Sequence, residues 1–187
     1  MRKQLSEMTL QELWKLFPIF LVEPKDEWKQ WYEEEAHHIC DILPGEKIVQ
    51  ISHIGSTAIP GIWAKNIVDI LLEVPAPGDL PEVKNQLMEH GWLCMSQSDS
   101  RISLNKGYTP EGFAQRVFHL HLRISGDHDE IYFRNYLIQN PSVAKEYEKL
   151  KLSLWKNYEH DRDGYTEAKG DFIRKYTEIA KEEGRLL

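Results

Sequence analysis

The chain has 187 residues, of which 41% are hydrophobic and 28% charged, and 23 basic against 30 acidic side chains leave a net charge of −7. That length supports one sizeable core in a single domain with helical additions. The acidic balance argues against bulk nucleic-acid binding, which normally needs a basic face. No stretch approaches the roughly 20 apolar residues that span a bilayer.

In chain order, Thr9-Leu10-Gln11-Glu12 has the form of a capping box and predicts a short helix reaching about Phe17, ended by Pro18. Asp26 opens a second helix, with Trp28, Trp31, Tyr32, Ala36, Ile39 and Leu43 at three-to-four residue spacing and Pro44-Gly45 as its stop. Glu33, Glu34 and Glu35 read as a solvated patch on that helix. Residues 47–54 and 67–74 read as strands around a loop or single helical turn at 56–64. A helix over 80–89 follows, then weaker strands at 92–95 and 101–104 forming a hairpin.

Residues 116–124 make the clearest strand, with Val117, His119, His121 and Arg123 on one face and Phe118, Leu120, Leu122 and Ile124 on the other. Helices are expected over 130–139, 142–158 and 165–183. The dense, balanced charge from Lys145 to Arg185 reads as helix surface. Helices, a strand-rich centre and more helices predict one mixed α/β sheet with helices packed on it. Cys40 and Cys94 lack a CxxC spacing and read as reduced thiols. Met1-Arg2-Lys3 leads into an apolar stretch broken by Lys15 and Pro18, not a signal peptide, so a cytoplasmic location is expected.

The chemistry concentrates in His53-Ile-Gly55-Ser56-Thr57-Ala-Ile-Pro-Gly61 and Lys65-Asn-Ile-Val-Asp69-Ile70. Gly55-Ser56 offers close approach, backbone N–H groups and a hydroxyl, which is what a phosphate needs. Asp69 is a charge within an apolar strand and calls for a cationic partner or a metal ion. Residue 71, on the same strand face, is Leu, and Glu73 lies about 13 Å further along that face. His119-x-His121 places two imidazoles about 7 Å apart on one strand face, a spacing suited to a divalent ion or to acid–base work. His53 joins that group from the turn. Lys65, Arg116, Arg123, Arg134 and Lys169 are the basic residues placed to meet an anion, whereas His37, His38, His90, His128 and His160 read as surface residues.

These motifs resemble the signature of the GrpB family, of the nucleotidyltransferase-fold superfamily. Glu27-Trp28 through Glu35, Phe118-His119-Leu120-His121-Leu122, Phe133-Arg134-Asn135-Tyr136-Leu137, Tyr147-Glu148-Lys149-Leu150-Lys151 and Tyr165-Thr166-Glu167-Ala168-Lys169 also resemble family segments, in the same order. The likeness covers about residues 24–180, leaving 1–23 as a helical extension to a domain at 24–187.

The resemblance implies a mixed sheet flanked by helices, a Gly55-Ser56 turn that binds nucleotide phosphates, and Asp69 as the first carboxylate for Mg²⁺ or another divalent metal. The superfamily's second carboxylate falls at Leu71, which cannot ligate, and His119 and His121 stand where a third would come. The expected site therefore has Asp69, His119 and His121 as catalytic and metal-binding residues. His53, Gly55, Ser56, Thr57, Lys65, Arg134 and Lys169 would hold a nucleotide or other phosphorylated small molecule. Three functions remain open on the sequence: nucleotidyl transfer, a ligand-sensing domain without turnover, and a mononuclear metal hydrolase using His53, His119 and His121.

Overall fold

A computed structural model describes residues 3–184. Five strands, β1 (Gln50–Ile54), β2 (Val68–Val74), β3 (Leu93–Gln97), β4 (Arg101–Thr109) and β5 (Gly112–Ile124), form one sheet in the order β1-β2-β5-β4-β3. Only the β2–β5 pair is parallel; the other three are antiparallel. Seven helices surround it among the described residues: α1 (Leu10–Leu16), α2 (Glu27–Ile42), α3 (Asp79–Glu89), α4 (Asp129–Gln139), α5 (Pro141–Leu154), α6 (Arg162–Ala168) and α7 (Gly170–Glu182).

Alternation along the two central strands assigns the faces. Val68, Ile70, Leu72 and Val74 of β2 join Phe118, Leu120 and Leu122 of β5 in a core closed by Trp28 and Ile39 of α2 and Leu80, Val83 and Leu87 of α3. Burying a side chain of that size contributes roughly 1.5–3 kcal/mol, so this face anchors the sheet. The opposite face carries Asp69, Leu71, Glu73, His119, His121 and Arg123. A second apolar cluster roofs it, with Phe133 and Leu137 of α4 and Ala144 and Tyr147 of α5, packed by Phe172 and Ile173 of α7. A hydrophobic α2/α3 face and a polar face under α4–α7 follow from a period of two.

Several boundaries differ from the sequence expectation. The first expected strand begins at Gln50, because residues 45–47 form a 3₁₀ turn and Lys47 is drawn to Asp79 (2.8 Å) and Glu82 (2.7 Å) at the start of α3. The α5 helix stops at Leu154, and Asp161 starts α6 by accepting from the Gly164 N–H at 2.9 Å. One expected C-terminal helix is two, α6 and α7, meeting at Lys169-Gly170, where glycine is a poor helix former.

The acidic patch on α2 is only partly solvated. Glu33 is exposed and Glu34 pairs with Arg116, but Glu35 is buried and holds Lys106 at 2.7 Å. His128 is not a surface residue either: its Nδ1 lies 2.9 Å from the buried Glu73, whose Oε1 also accepts from the Gly126 N–H at 2.8 Å. Residues 17–22 are stitched into the domain. Phe17, Ile19 and Leu21 are buried, the Ile19 N–H donates to Glu159 (2.8 Å), and Val22 pairs with Ala64.

Candidate functional site

The sheet's polar face and the helical roof enclose a cavity of about 670 Å³. Its floor is set by strand register. Ile54, the last residue of β1, lies opposite Asp69, and Asp69 lies beside His119 on β5. The turn leaving β1 therefore passes directly over the Asp69 carboxylate. Gly55 adopts φ 71° and ψ −172°, a region open essentially to glycine alone. A Cβ at that position would stand 2.5 Å from Asp69 Oδ2. The missing side chain of Gly55 thus makes room for Asp69 as well as for any ligand.

Asp69 is held by imidazoles, with His121 Nε2 at 3.2 Å and His119 Nδ1 at 3.4 Å from the same oxygen, Oδ1. The proton positions follow from the neighbours. Arg162 Nη2 donates to the Tyr108 hydroxyl (2.8 Å), so that hydroxyl donates to His119 Nε2 (2.8 Å), leaving the His119 proton on Nδ1, facing Asp69. Arg123 Nη2 stands 3.4 Å from His121 Nδ1, which accepts, so His121 turns Nε2–H toward Asp69. Burial pushes the His119 pKa down to about 4 against the pull of Asp69, so the ring is neutral at pH 7. Burial would raise the Asp69 carboxyl, but hydrogen bonds from His119 and His121 outweigh it and hold Asp69 ionised.

Facing this floor are the cations. Burial lowers Lys65 to about 8, aided by Arg162 and opposed by Asp69. Burial lowers Lys151 to about 7, with Glu148 opposing and Lys65 assisting. Lys169 falls to about 7 through burial and the repulsion of Lys65 and Lys151. The Lys169 ammonium sits 4.1 Å from the centre of the Tyr165 ring, and Lys65 lies 5.9 Å from it. Lys151 donates to the Trp63 carbonyl. At the cavity edge, Lys181 is paired with Asp129 and Arg174 with Asp171. Lys65, Lys151, Lys169 and Arg162 line the cavity together with Asp69; Glu130, 3.9 Å from Arg123, and Glu178 line it as well. The buried Tyr165 hydroxyl, also in the wall, has no hydrogen-bond partner among the described residues.

Of the residues singled out by sequence, Gly55, Ser56, Thr57, Lys65, Asp69, His119, His121 and Lys169 line this cavity together. Ser56 faces the Tyr147 hydroxyl of the roof, where burial raises the Tyr147 pKa and the Ser56 hydroxyl opposes that rise. Two residues lie elsewhere. His53 projects to the α2 side, stacked on Tyr32 with ring centres 4.8 Å apart and bonded to Thr57 Oγ1 at 2.9 Å. Arg134 donates to the His53 carbonyl at 2.7 Å and braces the turn from outside. Arg116 is spent on Glu34, and the buried Arg123 donates to the Ile102 and Leu122 carbonyls.

Sequence reasoning missed Lys151, Arg162, Tyr108, Tyr147 and Tyr165. A signal existed for some of them: Tyr147/Lys151 and Tyr165/Lys169 repeat an aromatic–lysine pair at i, i+4, which places each lysine on the helix face its tyrosine buries.

The paired-Mg²⁺ arrangement of the nucleotidyltransferase fold does not fit this donor set. Two ions held about 3.5–4 Å apart need shared carboxylates. Here Leu71 is fully buried, Glu73 is committed to Gly126 and His128, and both imidazole lone pairs beside Asp69 already accept hydrogen bonds. Among the described residues no group of three or more His, Cys, Asp or Glu side chains is arranged to hold a metal ion.

The sheet, its order and the glycine turn over a strand carboxylate define a nucleotidyltransferase-like α/β fold. The particular family follows from comparison: residues 18–179 match the GrpB protein family, and the chain belongs to it. It is 35% identical over 161 residues to the "Glutamate-rich protein GrpB" of Alkalihalophilus pseudofirmus, covering 83% of this chain and 91% of that one. It is 30% identical over 159 residues to the "UPF0157 protein YqkA" of Bacillus subtilis, covering 83% of this chain and 45% of that longer relative. The crystal structure of the conserved protein GrpB from Enterococcus faecalis superposes with a TM-score of 0.76 at 28% identity, covering 88% of this chain and 98% of that one. The family match begins at residue 18, consistent with the packing of residues 17–22 into the domain. Among the described residues no helix is long and apolar enough to cross a membrane.

Proposed function

We propose that the cavity binds a nucleotide or another small molecule carrying several phosphate charges. The observation that carries this reading is the group of buried lysines 65, 151 and 169, which line one cavity with Arg162 above the Gly55-Ser56 turn and Asp69. Like charges that depress one another's protonation are costly in isolation, and a multivalent anion relieves that cost. Gly55-Ser56 and the Tyr165 hydroxyl supply close approach and a further hydrogen-bond donor. Asp69, beneath the Gly55-Ser56 turn and oriented by His119 and His121, is a carboxylate placed to accept a proton from an acceptor group or to meet a divalent ion brought in with the phosphates.

Between transfer and ligand sensing, the buried Leu71 and the saturated imidazoles favour binding without two-metal transfer. The hydrolase reading needed His53 to join His119 and His121, and His53 lies on the other side of the sheet. Calorimetric titration with inorganic tripolyphosphate and with nucleoside triphosphates, in EDTA and in Mg²⁺, checks the proposal. Binding is expected in both buffers, weakened about tenfold or more in Lys169→Met because a charge-assisted hydrogen bond is lost. Absence of binding in both buffers, or an unchanged affinity in Lys169→Met, would contradict it.

A further inference from the structure

A second cavity, of about 280 Å³, opens on the other side of Lys65, Ile67 and Arg162, residues that line both spaces. Its walls differ in chemistry from those of the first. Ile19, Phe20, Phe113 and Val117 make them apolar and aromatic, and Asn66 and Gln115 add side-chain amides. Phe113 is fixed from behind by Phe17 at 5.0 Å and Tyr108 at 5.2 Å, and Phe20 meets it edge to face at 6.2 Å. Phe20 remains 38% exposed, which leaves part of its apolar surface without cover. Asn66 Oδ1 accepts from the Trp28 indole N–H (2.8 Å), so the group Asn66 can offer a ligand is its NH₂ donor.

Resting on the phosphate reading of the larger cavity, we infer that the smaller one receives the nucleobase of the same ligand, with Lys65 and Arg162 standing between base and phosphates. An aromatic wall accepts any base through its π face, and amide side chains can meet the polar edge. The two cavities thus match the two halves of a nucleotide, and both are lined by Lys65 and Arg162, cations that its phosphates need. An acyl or other aliphatic group would leave the amides unused.

The test compares ATP with inorganic tripolyphosphate by calorimetry on the full-length protein, in the wild type and in Phe20→Ala and Ala114→Trp. Ala114 is an exposed residue of the cavity wall, so tryptophan there fills the space without disturbing the core. The wild type is expected to bind ATP about tenfold more tightly than tripolyphosphate, although tripolyphosphate carries more charge, because base stacking adds to affinity. In both variants the ratio is expected to fall toward one, with circular dichroism showing the fold retained. A wild-type ratio near one, or a ratio unchanged in both variants, overturns the nucleobase assignment while leaving the phosphate reading standing. Failure of both ligands to bind the wild type overturns the phosphate reading and this one with it.

Discussion

Gly55 and Asp69 constrain each other more tightly than either motif suggests alone. The backbone of Gly55 lies where a side chain is strained, and the space its Cβ would fill belongs to the Asp69 carboxylate. Gly55→Ala therefore carries two costs: about 1–3 kcal/mol for the backbone conformation, and the displacement of a hydrogen-bonded carboxylate. Urea unfolding should show Gly55→Ala destabilised by about 2 kcal/mol or more, and by measurably less when Asp69→Ala removes the clash. Equal costs in both backgrounds would mean that Asp69 is not what the glycine accommodates. The Gly-Ser turn and Asp69 were legible in the sequence because a glycine after one strand and a charge inside the next both break local rules. The imidazole roles were not, since they depend on Tyr108, Arg162 and Arg123, which reach the pair from different elements.

The helices that roof the cavity bring their lysines inward at the expense of stability. Lys169 closes α6 immediately before Gly170 opens α7, and the break aims its ammonium at the Tyr165 ring and toward Lys65 and Lys151. The sequence reads this region as one continuous helix, because periodicity across 165–183 is unbroken and a single glycine is a weak stop. The β5 strand, by contrast, was legible from 116 to 124, where its two faces separate cleanly into histidines and core residues, but its start at Gly112 was not. A lysine whose folded pKa lies below its unfolded value makes the unfolded chain the better proton binder between those values. Stability therefore rises as pH increases through that window, from about 7 toward about 10, and the full cost is present below it. Calorimetry at pH 6 should accordingly find Lys169→Met melting about 2–4 °C above the wild type. A lower melting temperature would mean that the lysine serves the fold more than a ligand.

At the scale of the whole molecule, a net charge of −7 coexists with an interior that gathers cations. The acidic surface disfavours nucleic acid in bulk, while the cavity confines positive charge to a volume suited to a small anion. Composition made the first part legible; the second was hidden because Lys65, Lys151, Arg162 and Lys169 come from a loop and two helices far apart in sequence and meet only through the fold. If the cavity holds a polyphosphate, its lysines must be more fully protonated with the anion bound than without it. Anion binding then takes up protons at pH 8.5, and affinity falls as pH rises from about 7 toward 10. The most direct test is calorimetric titration of the wild type with inorganic tripolyphosphate at pH 8.5 in two buffers of different ionisation enthalpy. Binding with net proton uptake is the predicted result; no binding, or binding with no proton exchanged, would contradict the account.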